Sequence, residues 1–440
     1  MPQKMNKKKI FSKICVLGLG YIGLPTAAMF ASRERSVIGV DINQSTVDTV
    51  NLGQIHIVEP GLEGVVHTAV NKGFLYASNV PLAADAFLIA VPTPIQFLDG
   101  DEMLPQPNLS YIKAATQSIS LVLKKGDLVV LESTSPVGTT EQVAEWLAAA
   151  RPDLTFPQSH GSASDIRIAY CPERVLPGQV IRELITNDRV IGGMTNACSN
   201  LAADLYSILV EGKCHLTNAK TAEMAKLTEN SCRDVQIAFA NELSIICDEL
   251  DINVWELISL SNRHPRVNIL NPGPGVGGHC IAVDPWFIIS KTPDKSPLIR
   301  AARNVNDSKP KWVINQIDKA LLEFLKENPD KSMTDVIVAC YGLTFKANID
   351  DLRESPALQI TIDLSYGHQG RVLVVEPNID SLPREIPNLE LVSKEKAFEM
   401  AHIHVLLVDH VEFKKQDIPV GKIVDTRGVW RNVSVSNRTR

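Results

Sequence analysis

The sequence predicts an α/β protein built from two doubly wound parallel-sheet domains joined by a long central helix. Three observations carry this expectation. Short β-rich runs alternate with longer helical patterns from residue 13 to about 210, a helical pattern with few breakers covers about 221–260, and the alternation resumes from about 333. Such alternation is the signature of a parallel sheet covered by helices. The expected domains are 1–215, 216–325 and 326–440.

In the first stretch the strands are expected at Ile14–Leu17, Ser36–Val40, Ala86–Val91, Leu128–Glu132, Ile166–Cys171 and Arg189–Gly192. Turn and polar clusters follow them at Gly18–Gly23, Thr93–Pro94, Ser133–Thr134 and Pro172–Glu173. These clusters line the edge where open α/β sheets bind ligands. The helical pattern from about Thr221 to Leu260 carries Leu227, Ile237, Phe239, Leu243, Ile246 and Leu250. It reads as a spine whose apolar surplus serves a subunit contact. A charged linker, Lys326–Lys331, precedes strands at Val336–Tyr341, Arg371–Val375, His404–Val408 and Lys422–Asp425, with a helix from about Ser355. Asn432–Arg440 is polar and reads as a frayed end.

At 440 residues the chain calls for two or three domains, and its 45% apolar and 21% charged composition is that of a soluble globular protein. No segment reaches the ~18 uninterrupted apolar residues of a membrane span. A net charge of −6 offers no broad basic field for nucleic acid. The eight cysteines are scattered without a Cys-x-x-Cys pair, which argues for reduced thiols in a cytoplasmic setting and against zinc. Lys4, Lys7, Lys8 and Lys9 before the apolar Ile14–Ala31 stretch imitate a secretion leader. That reading is rejected, because cleavage would destroy the phosphate motif within the stretch. The sequons at Asn432 and Asn437 are then read as chance.

That motif is Gly18-Leu-Gly-Tyr-Ile-Gly23, after an apolar strand and before an Ala-rich helix, with Asp41 ending the next strand. Gly18 permits the tight turn, Gly20 the approach of a pyrophosphate, and Gly23 close helix packing. Asp41 would accept from ribose hydroxyls and repel a 2′-phosphate, so the expected cofactor is NAD. The bland alternative is a structural βα turn.

A second glycine run, Asn271-Pro-Gly-Pro-Gly-Val-Gly-Gly-His-Cys280, ends on a thiol, with Asp284 four residues on. So many permissive residues present the cysteine to something, against the alternative of a buried structural cysteine. His279 reads as structural. Lys226 and Asn230 share one helix face, with Glu223 and Arg233 near the same stripe. The pair suits an oxyanion, although a solvated face would look the same. Phe345-Lys346 and Arg353 offer charge for phosphates in a loop before a helix, a weak signal by itself.

Taken together, Gly18–Gly23, Glu132-Ser-Thr-Ser-Pro-Val-Gly138, Pro172-Glu173, Lys226 with Asn230, the run into Cys280 with Asp284, and Phe345-Lys346 with Arg353 resemble the UDP-glucose/GDP-mannose dehydrogenase family over residues 13 to 430. Pro272–Trp286 and Pro172–Gly178 most resemble its bacterial subgroup acting on UDP-N-acetyl-D-mannosamine. The resemblance implies a Rossmann-like NAD domain, a central helical dimer-forming region and a C-terminal Rossmann-like UDP-binding domain. It also implies a four-electron oxidation of a C6 alcohol to a carboxylate with two NAD reduced, supplying precursors for surface polysaccharides. Cys280 would form a thiohemiacetal and then a thioester.

By the same resemblance, Lys226 and Asn230 stabilise oxyanions and contact substrate, and Asp284 with Thr134 holds a water. Glu173 is the candidate for activating the hydrolytic water. Phe345 and Lys346 would meet the nucleotide-sugar, as would Arg266 from a partner subunit. Gly18, Gly20, Tyr21, Ile22, Gly23, Asp41, Thr93, Thr134 and Arg353 would meet the cofactor. The glucose-type pattern Cys-x-Pro-Lys-Asp is here Cys280-Ile-Ala-Val-Asp284, and Pro177 replaces a second acid. Both changes remove charge near the sugar and fit an N-acetyl group. UDP-N-acetylglucosamine and UDP-N-acetylgalactosamine stay open as substrates, and a non-catalytic NAD-sensing or assembly protein is the alternative of another class.

Overall fold

The computed structural model describes residues 11–98, 101–176, 178–278, 280–382, 389–414 and 418–430. Lys4, Lys7, Lys8, Lys9, Pro177, His279 and the Asn432–Arg440 tail lie outside them. The chain divides into two compact units, one running to Glu229 and including Trp286–Pro293, the other taking Asn230–Pro285 and the chain from Asp294.

The first unit holds an eight-stranded sheet of β1 (Lys13–Leu17), β2 (Ser36–Val40), β3 (Leu75–Ser78), β4 (Ala86–Ile89), β7 (Leu128–Leu131), β8 (Arg167–Tyr170), β9 (Arg189–Gly193) and β10 (Cys214–Asn218). A separate hairpin pairs β5 (Ile95–Leu98) with β6 (Asp101–Pro107). The sheet order is β10-β9-β8-β7-β4-β1-β2-β3. Every residue of β4 and β7 is buried, as central strands covered on both faces require. The strand order reverses between β1 and β4, so the β1 turn opens at the crevice where such sheets take ligands.

Two differences from the sequence expectation have physical reasons. The sheet is not wholly parallel, since β9 runs antiparallel to β8 through Ala169–Gly193 and Tyr170–Gly192, and β10 is parallel to β9. This inversion brings Arg189, the first residue of β9, beside the carboxyl end of β8. The strands β3 and β10 were missed because they are edges, β3 alternating in burial and β10 exposed or half-buried throughout, rather than an apolar run.

The expected long helix is two helices. Ala219–Glu249 ends, Asp251 takes a left-handed φ of 52°, and Val254–Ser261 begins behind the cap Asn253. The apolar periodicity continues across the break and hides it. In the second unit β11 (Val338–Tyr341), β12 (Val372–Val375), β13 (Leu389–Leu391), β14 (Ile403–Leu406) and β15 (Lys422–Asp425) form a parallel sheet ordered β13-β12-β11-β14-β15. Its order reverses at β11, so the loop carrying Phe345 and Lys346 leaves the ligand edge. A helix spans Pro297–Glu327 with Pro310 inside it, and another spans Pro356–Gly367, capped by Ser355. Among the described residues no helix is long and apolar enough to cross a membrane.

Asn253 Oδ1 accepts from Trp255 N at 3.0 Å and Glu256 N at 3.2 Å. Asn253→Ala should therefore lower unfolding stability by about 1 kcal/mol in denaturant titration, with the m-value unchanged.

Candidate active site

In the first unit the turn after β1 is built by steric exclusion. Gly18 has φ of 89°, and a Cβ there would sit 2.4 Å from Ala90 O. A Cβ on Gly23 would fall 1.7 Å from Gly18 O, whereas one on Gly20 would meet nothing within 4 Å. The turn is closed on its protein side and open at Gly20, a cradle that admits a pyrophosphate. Ile22 provides no side-chain cap to the following Gly23–Ser32 helix, leaving its N-terminus suited to an anion. Tyr21 is half-buried against the core.

Asp41 is set by the same turn: Oδ2 accepts from Leu19 N at 2.9 Å and Oδ1 from Asn43 N at 2.9 Å. A carboxylate has about four acceptor directions, so capacity remains for a ribose diol. Thr93 is half-buried beyond β4, and Thr134 is half-buried beyond β7. The residues present fit NAD.

Glu173 follows β8 and is buried, with Oε2 accepting from Arg189 at 2.8 Å and Oε1 from Arg174 N at 2.7 Å. Its carboxylate is thus held on both oxygens, a constraint that sequence reading did not foresee. Beside it, Tyr206 donates to Glu132 Oε1 at 2.5 Å, and the Arg189 guanidinium lies 5.3 Å from the Tyr206 ring centroid. Burial, then the Glu173 charge, pushes the Glu132 carboxyl up to about 7. Glu223 does not belong to an exposed stripe. It is buried and accepts from Gly138 N at 2.6 Å and Thr140 N at 2.8 Å, capping the helix after the Ser133–Gly138 segment.

In the second unit Cys280 is half-buried in a turn whose carbonyl accepts from Val283 N at 3.1 Å and Asp284 N at 2.8 Å. Asp284 is buried, begins the Asp284–Lys291 helix and accepts from the Asn230 side-chain amide. Lys226 lies one turn before Asn230 on the Ala219–Glu249 helix and is half-buried.

The glycines before Cys280 do more than confer freedom. A Cβ on Gly277 would lie 2.6 Å from Phe345 Cβ and 2.7 Å from Pro356 Cδ, and one on Gly278 2.9 Å from Phe345 Cε2. The thiol loop is therefore pressed onto Phe345, and glycine is demanded by contact. The Phe345 loop is itself fixed, since Glu376 Oε2 accepts from Leu343 N at 2.7 Å and from Thr344 N at 3.2 Å. His410 Nδ1 accepts from Asn348 N at 3.0 Å, which leaves Nε2 to carry the hydrogen toward Glu376 Oε2 at 3.1 Å. Lys346 is half-buried in the same loop. Arg353 is exposed and forms a forked pair with Asp351, the shortest contact being 2.6 Å, while Arg266 is exposed in the loop after Val254–Ser261.

Sequence reading also missed a polar stripe on the Ala219–Glu249 helix. Asn230, Asp234, Asn241 and Ser244 recur at helical spacing and each bonds a side chain of the second unit: Asp284, Arg303, Asn306 and Lys309 respectively. Buried Lys309 lies with Nζ 3.4 Å from the Trp312 ring centroid, and burial lowers its amine to about 7. The stripe was visible as polar residues interrupting an apolar helix.

A glycine turn shaped for a dinucleotide and bonded to Asp41, in a chain that also carries a wedged thiol loop against a second nucleotide-type domain, is the pattern of a nicotinamide-linked oxidoreductase. Family comparison agrees along the chain. The NAD binding domain of the UDP-glucose/GDP-mannose dehydrogenase family matches residues 12–210, its central domain 220–308, and its UDP binding domain 339–432. The chain belongs to this family and is an NAD-dependent UDP-sugar dehydrogenase. It is 60% identical to the UDP-N-acetyl-D-mannosamine dehydrogenase of Escherichia coli K12, over 96% of this chain and 100% of that protein. It is 59% identical to the NDP-N-acetyl-D-galactosaminuronic acid dehydrogenase of Ralstonia nicotianae, over 96% of each. Among solved structures, the UDP-N-acetyl-mannosamine dehydrogenase of Staphylococcus aureus superposes with a TM-score of 0.80 at 40% identity, covering 96% of each chain.

The raised Glu132 carboxyl makes stability depend on pH. The group is protonated in the fold up to about 7 but ionises near 4.5 when unfolded, so its contribution is intact below 4.5 and is lost as pH rises to 7. Between pH 5 and 8 the wild-type protein should lose on the order of 3 kcal/mol relative to Glu132→Gln, measured by denaturant unfolding at each pH. Equal pH slopes would contradict this.

Proposed function

We propose that the chain oxidises UDP-N-acetyl-D-mannosamine at C6 to UDP-N-acetyl-D-mannosaminuronate through a covalent intermediate on Cys280, for surface polysaccharide synthesis. The observation that carries this reading is the thiol turn itself: Cys280 sits one turn ahead of Asp284, which is tied to Asn230.

Gly18, Gly20, Tyr21, Ile22, Gly23, Asp41, Thr93, Thr134 and Arg353 would hold NAD, which would accept two hydrides per turnover. Lys226 and Asn230 stabilise negative charge on the sugar oxygen as the alcohol is oxidised to the aldehyde. The Cys280 thiolate then adds to the aldehyde carbon, restoring an sp³ carbon that carries both oxygen and hydrogen. Loss of the second hydride leaves a thioester. Water, held by Asp284 and Thr134 and activated by Glu173, displaces the sulfur to give the carboxylate and the thiol. Lys226 and nearby backbone donors favour the thiolate. Phe345, Lys346 and a partner's copy of Arg266 hold the nucleotide-sugar.

The working organisation is an NAD-binding region over 1–215, a central region over 216–325 and a UDP-sugar-binding region over 326–440. Exposed Phe239, Ile246, Leu250 and Leu260 support a homodimer through the central region. The lack of any Cys-x-x-Cys pair supports a cytoplasmic setting.

The rival sugar is UDP-N-acetylgalactosamine, favoured by the near-equal identity to the Ralstonia relative. A panel of UDP-sugars followed by NADH absorbance decides, with the highest kcat/KM expected for UDP-N-acetylmannosamine. A higher value for a glucose- or galactose-configured sugar overturns the choice. Separately, Cys280→Ser should stall before acid forms, and acid production at the normal rate would remove the covalent step.

A further inference from the structure

We propose that Asn241 is a positioning residue for the thiol loop, acting on Cys280 through Gly273. Its side chain is fully buried, and its Oδ1 accepts from Gly273 N at 2.9 Å, at the head of the run that delivers the cysteine. Its Nδ2 donates to Asn306 Oδ1 at 2.9 Å. Asn306 Nδ2 donates in turn to Asp234 Oδ1 at 2.8 Å, and the same oxygen accepts from Arg303 at 2.7 Å.

The direction of this chain has one solution. A backbone N–H requires an oxygen, so Asn241 turns its carbonyl to Gly273 and its NH₂ to Asn306. Asn306 must then present its own NH₂ to Asp234 Oδ1, which already takes the Arg303 guanidinium and so can only accept. Each amide is oriented by the next, and the buried Arg303–Asp234 pair anchors the end.

On its other faces the loop is held by packing: a Cβ on Gly275 would lie 3.0 Å from Pro356 and 3.3 Å from Pro310, and Gly278 faces Phe345. Packing limits how far the loop moves outward, while the Asn241 bond sets its depth at the head. Breaking that bond leaves a buried backbone N–H unpaired and lets the loop shift. The inference rests on the covalent reading above, in which acid formation uses Cys280 and the first oxidation does not.

That division supplies the test. Wild type, Asn241→Ala, Asn241→Asp, Asn306→Ala and Cys280→Ser are mixed rapidly with NAD and UDP-N-acetyl-D-mannosamine, and the first oxidation and acid release are timed separately. In Asn241→Ala the first oxidation should stay within about two-fold of wild type while acid release falls roughly ten- to a hundred-fold, the cost of a misplaced reacting atom. Asn241→Asp keeps an acceptor for Gly273 N but cannot donate to Asn306, so it and Asn306→Ala should shift the same way by less. In Asn241→Ala, an equal fall in both steps or no fall in either overturns the proposal. If Asn241→Ala does not fold, Asn306→Ala decides by the ratio of the two steps. Normal acid release by Cys280→Ser would instead refute the covalent reading. An idle wild type would refute the sugar, and the comparison then runs on whichever UDP-sugar is turned over.

Discussion

Close approach of backbone to its neighbours is the constraint on which both halves of this molecule depend. At Gly23 a methyl group would fall 1.7 Å from a carbonyl oxygen, and at Gly277 2.6 Å from Phe345. The first contact shapes a turn for a dinucleotide, and the second presses the thiol loop onto a nucleotide-type sheet. In each case glycine is required because the space is already filled. At the first turn the open side, at Gly20, is left for the dinucleotide.

Around these turns the protein uses buried charge and amide groups rather than more hydrocarbon. Glu132, Tyr206, Arg189 and Glu173 interlock at the ends of β7, β8 and β9, and Asp234, Arg303, Asn306 and Asn241 do the same between two helices. Such networks gain little net stability, since desolvating the charges offsets most of their attraction. They do fix direction: each donor admits few partners in a dry interior, so a change at one member reorients the next. For the covalent chemistry proposed above, orientation is the scarcer quantity.

Much of the fold was legible in the chain. β2 and β15 fell at the expected residues because each is a compact β-branched run bounded by turn residues. The helix break at Asp251 was hidden, because apolar residues on both sides keep the same period. At the candidate site, Cys280, Asp284, Asn230 and Asp41 stood out as residue types at telling spacings. Glu223, Arg189 and Asn241 were not, since a Glu, an Arg and an Asn on ordinary elements look like surface residues until their burial is known.

By itself the sequence determined two α/β sheets, a dinucleotide turn with an acid after the second strand, and a thiol behind a glycine run. These are local matters: periodicity, turn chemistry and steric permission act within a few residues of chain. Only tertiary structure decided that β9 reverses, that Glu173 is gripped by Arg189, that the glycine run lies on Phe345, and that Asn241 reaches Gly273. The two hydrogen bonds among them join residues 16 and 32 positions apart, and a contact across such a span is set by packing of whole elements, which no local pattern encodes.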